Sequence, residues 1–133
     1  MSVRVGIGYD CHPFAEGRRL VLGGVEIAHE RGLAGHSDAD ERHRDADSLA
    51  LLGQVVDLVA SRGLAIGNVD VTLIVEAPRV APHRERMRES LAAALGVEAA
   101  RVSVKATTAE GMGFIGRGEG AAALAVATVD ARR

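Results

Sequence analysis

Apolar and polar residues alternate through Val3-Arg4-Val5-Gly6-Ile7-Gly8, the period-two pattern of a strand. The alternation lapses at Asp10, and His12-Pro13-Phe14 reads as a turn. Arg19 to Ile27 is an apolar run interrupted by Gly23-Gly24, which predicts a hairpin with the glycines as its turn. Gly32 to Asp40 reads as a loop of Gly, His, Ser and Asp. From Asp47 the period changes: Leu49, Leu52, Val55, Val56, Leu58 and Val59 fall at helical spacing up to Gly63, with Asp47 or Ser48 as N-cap. Asn68 to Val75 returns to a β-branched strand. Pro82 opens a second helix, His83 to Leu95, which Gly96 closes. Arg101 to Thr107 reads as a strand, Glu110 to Gly120 as a glycine-punctuated loop, and Ala121 to Val129 as a final strand. The order is close to β-ββ-α-β-α-β. It predicts an α/β (α+β) fold with a mixed β-sheet and helices on one face, built as one domain over residues 1–133.

Composition narrows the function classes. Aromatics make up only 2% of the 133 residues, so the core must be built from Val, Leu, Ile and Ala. A net charge of −2 without a basic run argues against a nucleic-acid partner. No apolar run reaches the ~20 residues of a membrane span, so no membrane partner is expected. The N-terminus runs directly into a strand pattern, which together with a single cysteine points to a bacterial cytoplasm. Cys11, one residue out of phase with Asp10 and His12, is expected to face away from them as a small buried hydrophobe.

Four constellations can carry chemistry. Asp10 and His12 stand two apart in extended chain and so share a face, where a carboxylate and an imidazole suit a divalent metal such as zinc. Two ligands fall short of the usual three, and taken alone the pair reads sooner as a turn carboxylate beside a half-exposed histidine. His36-Ser37-Asp38-Ala39-Asp40 gathers an imidazole, a hydroxyl and two carboxylates in one loop, which also fits a solvated turn. Lys105-Ala106-Thr107-Thr108-Ala109-Glu110 ends a strand with hydroxyls suited to phosphate oxygens and an acid suited to Mg²⁺ or Mn²⁺. Gly111 to Gly120 holds Arg117 between glycines, a candidate bidentate anion ligand. The segment is neither a Walker loop nor a dinucleotide fingerprint.

In their order and spacing, G-Y-D-C-H-P-F, L-G-G-V-E-I, G-L-A-G-H-S-D-A-D, G-N-V-D-V-T-L-I-V-E-A-P-R and V-K-A-T-T-A-E-G-M-G-F-I-G-R-G-E-G resemble the 2-C-methyl-D-erythritol 2,4-cyclodiphosphate synthases of the non-mevalonate isoprenoid pathway. The resemblance covers nearly the whole chain. It implies a homotrimer with active sites between subunits. It also implies a lyase reaction on a small molecule, 4-diphosphocytidyl-2-C-methyl-D-erythritol 2-phosphate. The 2-phosphate attacks the β-phosphate, CMP leaves and a cyclic diphosphate forms. By the same resemblance Asp10 and His12 are zinc ligands, His36 and Ser37 lie beside the diphosphate, and His36 stabilises the transition state. Thr107, Thr108, Ala109 and Glu110 serve the phosphates, Thr108 in a catalytic role and Glu110 on a second divalent ion, Mg²⁺ or Mn²⁺. Val75, Glu76, Ala77, Pro78, Arg79, Val80 and Ala81 form the cytidine loop. Phe114 and Arg117 belong to the substrate loop, with Arg117 and Glu119 near the trimer axis.

The pattern breaks after Asp40. The family continues there into a helix that carries the third zinc ligand four residues on, then a D-I-G turn and an F-P-D-T-D loop. Here Asp40 is followed at once by Glu41-Arg42-His43-Arg44-Asp45-Ala46-Asp47-Ser48, which resembles the sequence beyond that loop. A segment of about two dozen residues is missing. Arg44 stands where the third ligand is expected and cannot bind zinc; the adjacent His43 is a substitute, though it belongs to the segment beyond the break. Either the sequence has been closed over a segment that the protein contains, or the protein lacks it; the Cα separation of Asp40 and Glu41 discriminates the two. A protein truly lacking the ligand would fit a second reading, a silent homologue that binds isoprenoid diphosphates or a cytidine nucleotide without converting them. A plain nucleotide-binding module, resting on the A-P-R loop alone, is a third.

Overall fold

A computed structural model describes residues 2–34 and 48–132. Its elements, in chain order, are β1 (Arg4–Ala15), β2 (Leu20–Leu22), β3 (Val25–Ile27), β4 (Gly32–Leu33), α1 (Ser48–Ser61), β5 (Leu64–Ile74), α2 (Arg84–Leu95), β6 (Val102–Thr107), the helical turn α3 (Gly113–Gly116) and β7 (Gly120–Ala131). Five strands form one mixed sheet in the order β4-β1-β7-β5-β6, and β2 and β3 form the separate hairpin. Only β5 and β6 run parallel; every other pairing in the five-stranded sheet is antiparallel. The mixed sheet and the helices of the sequence-based reading are present. The Asp40–Glu41 junction, the Asp47 cap and His36 through Arg44 lie outside the described residues.

Four boundaries differ from the sequence reading, each for a physical reason. The chain does not turn at His12-Pro13-Phe14, because β1 pairs with β7 as far as Pro13 opposite Gly120. Proline lacks a donor but keeps its carbonyl, which accepts from the Ala34 N–H at 2.7 Å, so it is tolerated there. Gly32–Leu33, expected in a loop, pairs with Ala15 and Phe14 as β4. β5 starts at Leu64 rather than Asn68, because a bulge between Ile66 and Val69 absorbs Gly67 and keeps the ladder going. Within the glycine-rich loop, Ile115 is buried and folds its neighbours into α3.

The helices and the hairpin cover one part of one sheet face. Val102 and Val104 of β6, with Val69, Val71 and Leu73 of β5, meet Met87, Ala92 and Leu95 of α2. Leu20, Leu22, Val25 and Ile27 of the hairpin complete this core, in which Met87 is fully buried. Gly23 and Gly24 both have positive φ, at 56° and 77°, as the tight turn requires. A Cβ on Gly24 would also strike Ser90 Oγ of α2 and approach Leu49 of α1 within 2.8 Å. The turn is therefore glycine for its backbone and for its packing.

Two surfaces are left uncovered among the described residues. On the helix-bearing face, nothing lies within 4 Å of a Cβ built on Gly6 or Gly8, and Val55 and Leu58 of α1 are exposed. On the opposite face, Val5, Ile7 and Tyr9 are 68%, 74% and 58% exposed. The register sets them beside Thr128, Val126 and Leu124 of β7. Cys11 lies on this second face by alternation and is exposed, not buried as expected, because no element among the described residues packs there. The neighbouring Cys11 thiol holds the Tyr9 hydroxyl above its ordinary range.

Candidate active site at one end of the sheet

Antiparallel and parallel pairings together bring the candidate segments to one end. His12 is opposite Ala121 at the start of β7, Ile74 is opposite Ala122, and Ile74 is also opposite Thr107. The end of β1, the loop after β5, the loop after β6 and the approach to β7 therefore share one edge. This edge lies at the carboxyl ends of the parallel strands, where open sheets of mixed helix and strand place their ligands.

Asp10 and His12 converge as their spacing requires. His12 Nε2 lies 3.0 Å from Asp10 Oδ2, and the Cys11 N–H donates to Asp10 Oδ1 at 2.9 Å. The side chains are 31% exposed for His12 and 66% for Asp10, so both can reach a ligand from solvent. An imidazole nitrogen and carboxylate oxygens this close are a donor set that zinc accepts. No cluster of three or more such side chains occurs among the described residues. His36, Ser37 and His43 lie outside those residues.

At the ends of β5 and β6 the site is tied together through the backbone. The Val75 N–H donates to the Thr107 carbonyl at 3.0 Å, and the Ala109 N–H donates to Glu76 Oε1. The Thr107 hydroxyl donates to the Thr108 carbonyl at 3.2 Å. The Glu110 N–H donates to Thr108 Oγ1, and Glu110 itself has φ 53°. A left-handed glutamate is uncommon. Val75 and Val80 are buried at 4% exposure in the core, so only their backbone groups are open to a ligand. Glu76, Ala77, Pro78, Arg79 and Ala81 are not core residues, and Ala77, Arg79 and Ala81 are exposed.

In the glycine-rich loop, Arg117 pairs with Glu119. Its Nε and one terminal nitrogen both bond Glu119 Oε2, at 3.0 and 2.9 Å. Phe114 is 36% exposed on α3 and available to a ligand. Two residues absent from the sequence reading hold this region. Arg31 donates to the Gly118 carbonyl at 2.9 Å and lies over the Phe14 ring at 5.2 Å, and His29 packs against the same ring. No local spacing announces them, because the Arg31 bond spans 87 residues of sequence.

Asp10–His12 and Thr107–Glu110 do not meet within one chain. β7 and β5 separate β1 from β6, and three strand spacings come to about 14 Å. Asp10, opposite Ala123 and through it Leu73, faces the helix side. Thr107, opposite Ile74 and through it Ala122 and Cys11, faces the other.

Residues 3–41 and 40–130 match the model of the YgbB family. The chain belongs to the YgbB family. It is 50% identical to a 2-C-methyl-D-erythritol 2,4-cyclodiphosphate synthase of Rubrobacter xylanophilus over 157 residues, covering 96% of this chain and 94% of that protein. It is 42% identical to the protein of the same description from Chlorobium phaeobacteroides, covering 98% and 99%. Among solved structures, the Plasmodium vivax cyclodiphosphate synthase superposes with a TM-score of 0.86 at 30% identity, covering 99% and 100%. A bifunctional IspDF from Campylobacter jejuni superposes at 0.92 and 30% identity, with 98% of this chain covering 42% of that one. This YgbB-family chain thus matches whole single-function relatives and one part of a two-function polypeptide. The two matched blocks meet at residues 40 and 41, and the Rubrobacter alignment is longer than the chain's 133 residues.

Proposed function

We propose that this chain converts 4-diphosphocytidyl-2-C-methyl-D-erythritol 2-phosphate into 2-C-methyl-D-erythritol 2,4-cyclodiphosphate. An oxygen of the 2-phosphate bonds to the β-phosphorus, the bond from that phosphorus to the CMP oxygen breaks, and CMP leaves. The observation that carries the reading is 50% identity across 94% of a cyclodiphosphate synthase. The collection of phosphate-suited groups at one sheet end supports it. An anionic nucleophile meeting an anionic phosphorus needs positive charge and donors around both. Asp10 and His12 would hold a zinc ion, which when bound polarises a phosphate oxygen. Glu110 would hold Mg²⁺ or Mn²⁺ against the diphosphate, with Thr107 and Thr108 supplying hydroxyls and the 75–81 loop receiving cytidine. His36 and Ser37 are assigned beside the diphosphate, with His36 stabilising the developing charge.

The reading includes a homotrimer whose active sites lie between subunits. Two observations support it: the apolar sheet face with Val5, Ile7 and Tyr9 exposed, and the separation of Asp10–His12 from Thr107–Glu110 within one chain. It also includes a further segment at the Asp40–Glu41 junction that supplies the third zinc ligand. The open strip over Gly6 and Gly8 and the exposed Val55 and Leu58 support that part, as does the two-block family match. A cytoplasmic setting is retained from the single cysteine. The test is incubation with the diphosphocytidyl substrate, Zn²⁺ and Mg²⁺, followed by phosphorus NMR. Equimolar CMP and cyclic diphosphate are expected. Absence of CMP from metal-loaded, assembled protein overturns the proposal.

A further inference from the structure

Three segments of the site end meet around one cation. Phe14, two residues beyond His12, donates its backbone N–H to the Glu119 carbonyl at 2.8 Å. Arg31, just before β4, lays its guanidinium over the Phe14 ring and donates to the Gly118 carbonyl. Three residues further on, the Ala34 N–H bonds the Pro13 carbonyl, where the chain leaves the sheet toward His36. Gly118 sits between Arg117 and Glu119, and its φ of 73° lets the loop reverse so that those two side chains pair. One charged side chain thus joins the strand end bearing Asp10 and His12 to the loop bearing Phe114 and Arg117. The bond and the ring contact are partly shielded from water, where a charge-assisted bond is stronger than at an open surface.

We infer that Arg31 is a positioning residue that fixes the glycine-rich loop against the metal-side strand, acting through Gly118 and Phe14 without touching substrate. The inference rests on the proposed function only in taking that loop as part of the substrate site. Arg31→Ala removes both contacts. Arg31→Lys keeps a cation for the ring but not the planar fork that also reaches the carbonyl. Hydrogen exchange reads the clamp directly, because the Arg117, Gly118 and Glu119 amides are bonded within the loop to Gly113, Ile115 and Phe114 carbonyls. In Arg31→Ala these amides are expected to exchange about tenfold faster while those of α2 keep their rates. KM for the diphosphocytidyl substrate is expected to rise by about fivefold or more with a smaller change in kcat. Arg31→Lys is expected to fall between alanine and wild type in both measurements. Unchanged loop exchange overturns the inference, and so does equal acceleration in the loop and α2, which would mark a general stability role. If the wild type releases no CMP, the proposed function fails while the exchange comparison still decides the clamp.

Discussion

Asp10 and His12 are aimed by the backbone more than by each other. Each sits in a ladder that runs from Arg4 opposite Val129 to Pro13 opposite Gly120, so their shared face follows from strand alternation. Their mutual contact is exposed and contributes little to folding. Asp10→Asn is therefore expected to leave stability within about 0.5 kcal/mol of wild type while lowering zinc affinity by at least about tenfold. Isothermal titration with Zn²⁺ checks this, and unchanged affinity would remove Asp10 from the ligand set. The pair was legible in the sequence because period two is a local rule. Arg31 was not, since a bond to Gly118 has no sequence periodicity behind it. The burial of Val75 and Val80 was hidden for a related reason: spacing alone does not say which valines anchor the loop to the core.

At the scale of elements, the hairpin turn and β6 each carry a sharp expectation. Gly24→Ala forces a side chain into positive φ and against Ser90 and Leu49. Urea denaturation is expected to show a loss of about 1–3 kcal/mol, and a neutral result would mean that the hairpin does not rest on the helices. On β5 and β6, Lys105 and then Ser103 donate to Asp70 and hold its carboxyl below the ordinary 3.8. A lowered carboxylate pKa stabilises the fold above the unfolded value and loses that effect as pH falls through the folded one. Because the pair is half exposed, Asp70→Asn is expected to cost under about 1 kcal/mol at pH 6, and this difference should shrink when the pH is lowered to well below 3.8. Denaturation midpoints of the two proteins at both pH values test it. The long elements were readable because their hydrophobic period persists. Strand ends were harder to read: Pro13 and Gly67 are local breakers that cross-strand pairing overrides, through a free carbonyl in one case and a bulge in the other.

For the molecule as a whole, an uncovered apolar sheet face calls for a partner surface. Ile7→Asp places a charge at its most exposed apolar residue, 74% open in the single chain. Sedimentation at micromolar concentration is expected to show the proposed trimer for wild type and monomer for Ile7→Asp. A variant that stays trimeric would put the interface elsewhere. The sequence disclosed the fold class, but not that Asp10–His12 and Thr107–Glu110 lie three strands apart on opposite faces. That separation is a property of strand order, which no single segment encodes. Strand direction has one more effect. β1 begins, β7 finishes and β5 starts at the same edge, with Arg4 opposite Val129 and Leu64 opposite Ala131, away from the end that holds His12 and Thr107. A second catalytic module tethered beyond either terminus would hang from the rear of the sheet, so gene fusion can join two enzymes without obstructing this one.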